Sequence, residues 1–244
     1  MRFDIPDFSE RSTEAELMDG SDYTVEEMID TLAELRRVNH YLGGHRALTR
    51  HLFPMIERLG RPVVSLLDIG TGSADIPIRV VEWARSRKIT VKYVVVDLNP
   101  IVAEEARQQV KDYPEIEAVC GNALNLPFAG GAFDFVTASL FLHHFETPKA
   151  AELLRALSEK AGVALIINDL RRHPVAYYSI NILTQIFTRN RLVRNDAGVS
   201  VLRSFTERDI EKLSEASGLR FDVHRHFPYR YILINRSRKE NNSK

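Results

Sequence analysis

The sequence predicts an α/β protein with a mainly parallel sheet of seven strands and helices on both faces. Short apolar runs that fit buried strands alternate with segments of helical periodicity between positions 63 and 168. Such alternation is typical of parallel strands joined by crossover helices. Two further strands, at 220–227 and 231–235, are joined only by Pro228-Tyr229-Arg230. Because that connection is too short for a crossover helix, this pair should end the sheet as an antiparallel hairpin.

The individual elements follow from local signals along the chain. Thr24 fits the cap of a helix with Glu27 as its capping-box partner, and Gly43-Gly44 separates this helix from a second one at 45–59. The predicted parallel strands are 63–69, 90–97, 117–120, 133–138 and 163–168, and the helices that follow them are 76–86, 99–113, 148–160 and 206–217. The predicted organisation is residues 1–59 as a tail and helical region, 60–236 as the sheet domain, and 237–244 as a disordered tail.

Composition and charge restrict the class of protein. The 244 residues carry 33 Lys and Arg against 33 Asp and Glu, so no overall basic field attracts nucleic acid. A single cysteine excludes an internal disulfide and fits a reducing compartment. Since no long apolar run and no signal-peptide core occur, we expect a cytoplasmic protein with no membrane partner.

The most informative motif is the strand, turn and helix start at positions 63–75. Asp68 precedes Gly70-Thr71-Gly72, and glycines there let backbone N–H groups approach a ligand that a Cβ would block. The next strand ends in Asp97, where an acidic residue can accept both hydroxyls of a ribose. This combination predicts an adenosine-containing cofactor on a Rossmann-like sheet.

The identity of that cofactor depends on the start of the first crossover helix. The dinucleotide pattern requires a third glycine three positions after Gly72, and this chain has Asp75 there. A carboxylate at that place repels a pyrophosphate but tolerates the cationic sulfonium and ammonium of S-adenosyl-L-methionine (SAM). The sequence therefore favours SAM, with S-adenosyl-L-homocysteine (SAH) as product, over NAD.

Four motifs in order carry a resemblance to a known family: LLDIGTGSAD, VVVDLNP, GNALNLPFAGGAFDFVTASLFLHHF and RSFTERDIEKLSEASGL. Over about residues 61–235 the chain resembles the class I SAM-dependent methyltransferases. Within them it is similar to the small-molecule branch that contains quinone-biosynthesis and secondary-metabolite methyltransferases. The resemblance implies that the helices before residue 60 form a lid over the acceptor; the alternative is an accessory helix pair.

The resemblance also implies which residues contact the cofactor. Asp97 would bind the ribose and Leu98 the adenine ring, whereas Asp68 would line the methionine part or simply cap the turn. Asn122 would read the adenine or merely form a turn. The full set implied for the cofactor is Asp68, Gly70, Thr71, Gly72, Asp97, Leu98, Asn122, Ala123, Ser139 and Leu140.

Residues after the fourth and fifth strands are candidates for the acceptor side, because ligands bind outside the carboxyl edge of such sheets. His144 is the candidate general base, since a histidine can take a phenol or enol proton near neutral pH. The alternatives are packing for the histidines and aromatics, and helix capping with a solvated turn for Asp169 and Arg172. The predicted acceptor-binding residues are Tyr41, Arg46, His143, Asp169, Arg172 and Tyr178.

Four arginines between positions 188 and 203 suggest carboxylate binding or a solvated surface. No metal-ligand spacing occurs, so the sequence predicts no metal and a direct methyl transfer. The predicted function is SAM-dependent methyl transfer to a small organic acceptor, at the oxygen of a phenol or carboxylate. The alternatives are C-methylation of a quinol-like aromatic, a non-catalytic SAM-binding protein and, last, an NAD-dependent oxidoreductase. The N-terminal helix could also support a homodimer.

Overall fold

A seven-stranded sheet organises the chain in a computed structural model that describes residues 6–237. Its strands are β1 Val63–Ile69, β2 Thr90–Asp97, β3 Ile116–Cys120, β4 Phe133–Ser139, β5 Ala161–Leu170, β6 Asp222–His226 and β7 Arg230–Arg236. Their order is β3-β2-β1-β4-β5-β7-β6, and β7 runs antiparallel to both of its neighbours while the other pairs are parallel. The predicted parallel sheet with a terminal antiparallel hairpin is therefore confirmed.

Helices cover both faces of this sheet within the described part of the chain. They are α1 Val25–Tyr41, α2 Gly44–Leu59, α3 Asp75–Ser86, α4 Pro100–Gln109, α5 Thr147–Lys160, α6 Pro174–Phe187, α7 Arg191–Arg203 and α8 Glu207–Ser217. Side chains alternate along a strand, so Leu66 packs in the apolar cluster on one face and Leu67 in the cluster on the other. The continuous apolar run of β1 is thus the pattern of a strand buried on both sides.

Some predicted boundaries differ from the observed ones. The helix expected over 99–113 ends at Gln109, because Val110 leaves the helix and its carbonyl accepts from Tyr113 N in a tight turn. Strand β5 is longer than predicted and begins directly after α5 without a loop. Helix α7 lies in the arginine-containing segment, where Asn190 caps it by accepting from Leu192 N and Val193 N.

The described residues before α1 lie along the surface of the protein. Arg11 donates to the carbonyl of Arg203, and Ser12 N donates to the carbonyl of Leu202. A short 3-10 helix at Leu17–Asp19 then precedes α1. The predicted C-terminal tail lies, apart from Ser237, outside the described residues.

Among residues 6–237, no helix combines the length and the apolar character that crossing a membrane requires. Cytoplasmic localisation, the domain limits, the absence of nucleic-acid partners and a homodimer stay predictions.

Candidate functional site

A cavity of about 800 Å³ lies at the carboxyl ends of the central parallel strands. Its floor includes the residues at or just after the ends of β1, β2, β4 and β5. Its opposite wall comes from the segment before α1, from α1 itself and from α7. This is the place where open α/β sheets bind their ligands, and its volume is in the range of small-molecule sites.

The glycine turn after β1 brings its backbone to this cavity. Gly70 and Gly72 have φ values of +65° and +55°, which glycine adopts without strain. A Cβ on Gly70 would lie 2.4 Å from the ring of Phe141. Gly70 N donates to the carbonyl of Val96 at 2.9 Å, which ties the turn to β2. The turn is therefore fixed by contacts that a larger residue would disrupt.

Asp97 lies at the end of β2 and faces the same turn. Its carboxylate accepts from Asn99 N at 3.0 Å and from Gly72 N at 3.4 Å. Burial raises the pKa of Asp97. Leu98, which follows it in the lining, is 67% exposed and has an apolar surface free to contact a ligand.

Asp68 forms the buried part of the floor. It accepts a 2.6 Å hydrogen bond from Thr137 Oγ1 and is 3% exposed. Burial raises the pKa of Asp68 to about 7, because a carboxylate loses its hydration there. His45 of α2 forms a hydrogen bond with the carboxylate of Asp75 at the start of α3.

His143 lies in the 3-10 helix Leu142–His144, between two buried carboxylates. Its Nδ1 is 2.7 Å from Asp169 Oδ1, and its Nε2 is 3.4 Å from Glu16 Oε1. Burial lowers the pKa of His143, but the charges and hydrogen bonds of Asp169 and Glu16 outweigh that and raise it to about 10. Without another ligand, this side chain is an imidazolium at neutral pH.

His144 stacks on His143 and faces the cavity. The two ring centroids are 4.4 Å apart. His144 Nδ1 lies 2.9 Å from Asp19 Oδ2, and its Nε2 lies 4.0 Å from Glu16 Oε2. The segment before α1 therefore supplies an acidic partner to each histidine.

The structure brings most of the predicted cofactor residues together, but not all of them. The predicted residues that line the cavity are Asp68, Gly70, Thr71, Gly72, Asp97, Leu98, Ser139, Leu140, His143 and His144. Asn122 and Ala123 lie outside this lining. Asn122 Oδ1 accepts from Leu124 N at 2.9 Å, which is the alternative role of a turn former. Ala123 packs against the hydrophobic core instead.

Most of the residues predicted to bind the acceptor do not line the cavity. Tyr41 is 81% exposed, and Arg46 is exposed on α2; neither lines the cavity. The ring of Tyr178 contacts Phe8 outside the cavity. Asp169 lies behind His143 and orients its ring rather than facing the cavity.

The prediction of substrate contact for Arg172 is wrong for a structural reason. Its guanidinium is buried, forms an ion pair with Asp209 at 2.8 Å, and donates to the carbonyls of Phe8, Ser9 and Ser204. These contacts tie the N-terminal segment to the start of α8. Arg172 does not line the cavity.

The lining also contains residues that the sequence did not indicate. Their shared feature is that they come from the wall opposite the sheet: Glu16, Met18, Asp19, Met28, Leu32, Leu35 and Asp196. For α1 the helical spacing of apolar residues was a usable signal, whereas nothing local marks Glu16. The nearby arginines have structural partners: Arg191 pairs with Glu27, and Arg203 donates to the carbonyl of His143.

Comparison with known proteins adds independent support. A family model described as "Methyltransferase domain" matches residues 66–161. The mitochondrial 2-methoxy-6-polyprenyl-1,4-benzoquinol methylase of Leishmania donovani is 31% identical over 54% of this chain and 49% of that protein. The demethylmenaquinone methyltransferase of Porphyromonas gingivalis is 30% identical over 63% of this chain and 62% of that protein. The chain thus matches about half to three fifths of the length of these two relatives.

Solved structures agree on the fold. Human N-acetylserotonin methyltransferase has a TM-score of 0.62 at 18% identity, over 88% of this chain and 56% of that one. The magnesium protoporphyrin IX methyltransferase of Synechocystis PCC 6803, solved with bound SAH, has a TM-score of 0.54 at 18% identity over 89% of both chains. Together with the strand order, the glycine turn and the acidic end of β2, these matches show a methyltransferase domain over residues 66–161 and the fold of SAM-dependent methyltransferases.

Proposed function

We propose that this protein transfers the methyl group of SAM to a small organic acceptor and releases SAH. The observation that carries the proposal is the convergence of the glycine turn, Asp68 and Asp97 on one cavity. A carboxylate also stands at the start of α3, where a dinucleotide would place its pyrophosphate. Acidic groups on this floor favour a cationic ligand over an anionic one.

In the proposed arrangement each end of SAM meets a different strand. Asp97 accepts the ribose hydroxyls, and the exposed face of Leu98 packs against adenine. Asp68 and the glycine turn hold the methionine part, whose ammonium group is attracted by an ionised Asp68. Ser139 and Leu140 then lie beside the methyl group, facing the acceptor.

The wall opposite the sheet supports a mainly apolar acceptor. Its apolar lining includes Met18, Tyr23, Met28, Leu32, Leu35 and Leu192. We propose that the segment before α1 and α1 itself act as a lid that excludes water, because transfer from a sulfonium depends chiefly on alignment.

Removal of the acceptor proton is the main chemical step that a side chain would have to perform. Both ring nitrogens of His143 face carboxylates, and its raised pKa keeps it protonated, which argues against His143 as a base. His144 lines the cavity, and its Nε2 lies 4.0 Å from Glu16 Oε2. His144 is therefore the proposed general base for an acceptor hydroxyl.

The proposed methyl acceptor is the oxygen of a phenol or carboxylate. C-methylation of a quinol-like aromatic is the second candidate, favoured by the names of the two relatives. The test is incubation of the protein with methyl-deuterated SAM and a panel of phenols, carboxylic acids and quinols. Mass spectrometry and NMR of the products would show whether the label resides on oxygen or on carbon.

Cofactor choice has its own test, calorimetry of the full chain with SAM, SAH and NADH. We expect SAM and SAH to bind, Asp97→Ala to abolish most of that affinity, and Asp112→Ala, at an exposed site, to leave it unchanged. Binding of NADH in place of SAM would contradict the proposal. SAM binding without transfer to any of the acceptors would favour the non-catalytic alternative.

A further inference from the structure

Three side chains at the acceptor side of the cavity converge as metal ligands do. Glu16, His143 and His144 each offer one donor atom, and these three atoms lie within 4.8 Å of one another. Two histidines and one carboxylate form a known ligand set for divalent transition metals, with coordination positions left open. Spacing along the sequence gave no sign of this set, because Glu16 is remote from the histidines in the chain.

The orientation of the two rings is the stronger argument. His143 and His144 both use Nδ1 to contact a carboxylate, Asp169 at 2.7 Å and Asp19 at 2.9 Å. Both therefore direct Nε2 toward Glu16. Metal-ligating histidines almost always donate their other ring N–H to a carboxylate, a backbone carbonyl or a water, which fixes the tautomer and the ring.

The distances are close to those of a coordinated ion. Ligand atoms about 2.1 Å from a tetrahedral metal stand roughly 3.4 Å apart. The Nε2 of His143 is 3.4 Å from Glu16 Oε1, and the Nε2 of His144 is 4.0 Å from Glu16 Oε2. Because the three donor atoms lie within 4.8 Å of one another, a bound ion would draw each pair together by at most about 1.4 Å.

The surroundings hold these ligands in place. Arg11 and Arg203 both donate to the carbonyl of His143, which fixes the backbone of the 3-10 helix. Ser200 Oγ donates to Glu16 Oε1 at 2.8 Å and holds that carboxylate. Glu16, Asp19 and Asp169 place three carboxylates beside the two imidazoles, and Arg203 lies 4.0 Å from Asp19.

We propose that Glu16, His143 and His144 bind a divalent transition metal such as Zn²⁺. The open coordination positions of this metal would face the cavity. If the proposed methyl transfer is also right, the metal would bind an acceptor oxygen as a Lewis acid and favour its ionised form. His144 would then be a ligand rather than a general base. The proposed metal binding does not depend on SAM or on the acceptor.

The test is titration of the metal-stripped full chain with CoCl₂, followed by absorption spectroscopy, and then displacement of Co²⁺ by ZnCl₂. We expect one equivalent to bind with a visible d–d spectrum, and Glu16→Gln and His144→Ala each to abolish that spectrum. A surface histidine pair provides the matched control, since His51 Nε2 lies 2.8 Å from His226 Nε2. The double variant His51→Ala/His226→Ala should bind Co²⁺ in the cavity as the wild type does.

A further variant keeps all three ligands and removes only an orienting carboxylate. Asp19→Asn should weaken Co²⁺ binding by about 10- to 100-fold, the usual effect of losing such a partner. The proposal is overturned if the wild type shows no cobalt spectrum, or if the spectrum is lost only in the surface double variant. It is overturned equally if Glu16→Gln, shown to be folded by its thermal transition, binds Co²⁺ as tightly as the wild type. SAM calorimetry on the same preparations reports separately on the proposed function.

Discussion

Asp68 should make SAH binding depend on pH in a way that can be traced to one carboxyl group. Burial raises the pKa of Asp68 to about 7, so the group is largely protonated in slightly acidic solution. The ammonium group of SAM or SAH requires the ionised form in the proposed arrangement. Binding should therefore release a proton below neutral pH, and affinity should rise as pH rises toward 7.

The magnitude follows from the pKa. With a value of about 7, the apparent Kd for SAH should increase tenfold for each pH unit below 7 and level off above it. At about pH 5.5 binding should be roughly 30-fold weaker than on the plateau. Calorimetry in two buffers of different ionisation enthalpy would measure both the affinity and the proton released.

Two variants assign the effect to this residue. Asp68→Asn keeps an oxygen that can accept from Thr137 Oγ1 but has no titrating group, so its profile should be flat. Asp75→Asn is the control, because Asp75 lines the same cavity and its charge is one of the causes that raise the pKa of Asp68. That control should keep the slope and move its midpoint to slightly lower pH. A flat wild-type profile, or an unchanged slope in Asp68→Asn, would refute the reasoning.

The same carboxyl group should affect stability with the opposite sign. Because its pKa is raised in the folded protein, the stability it contributes is present below about pH 4 and is lost as pH rises through about 7. The difference between about 7 and the ordinary 3.8 corresponds to roughly 4 kcal/mol. We therefore expect Asp68→Asn to exceed the wild type in free energy of unfolding at about pH 8, by up to about 4 kcal/mol, and urea denaturation would measure it.

Three other substitutions test separate parts of the structure. Asp97→Ala should weaken SAM binding by at least about 100-fold, because each hydrogen bond to a charged group contributes roughly 1.5–3 kcal/mol; calorimetry would show it. Arg172→Ala should lower the free energy of unfolding by about 3–5 kcal/mol in urea, since it leaves the buried carboxylate of Asp209 without its cation. A smaller loss would mean that water replaces the guanidinium. Gly70→Ala should lower stability by about 1–3 kcal/mol and weaken SAM binding, because its Cβ meets the ring of Phe141 at 2.4 Å and its φ is +65°. Unchanged melting and binding would show that the turn has room to shift.

The sheet and the cofactor side could be predicted from local sequence because their determinants are local. The run of apolar residues, the glycines and the acid of each strand–turn–helix unit lie within a few residues of each other. Their positions at strand ends follow from the parallel topology alone. Asn122 shows the limit of this reasoning, because an asparagine in a turn serves equally well as a turn former, and its Oδ1 accepts from Leu124 N.

The acceptor side could not be predicted in the same way. Arg172 and Asp169 follow β5 as a ligand-binding pair would, yet Arg172 is directed at Asp209 and Asp169 at His143. Which way a polar side chain points after a strand depends on what packs there. In this chain the segment before α1 packs there, and its sequence does not indicate where it would lie.

The sequence alone therefore determined the sheet topology, the glycine turn and the acidic strand end, since each is specified by residues close together in the chain. Only the tertiary structure decided that Glu16 reaches His143 and His144, and that Tyr41 and Arg46 stay outside the cavity. The physical reason is that these contacts join segments distant in sequence, and their geometry is set by the packing of the N-terminal segment across the sheet edge.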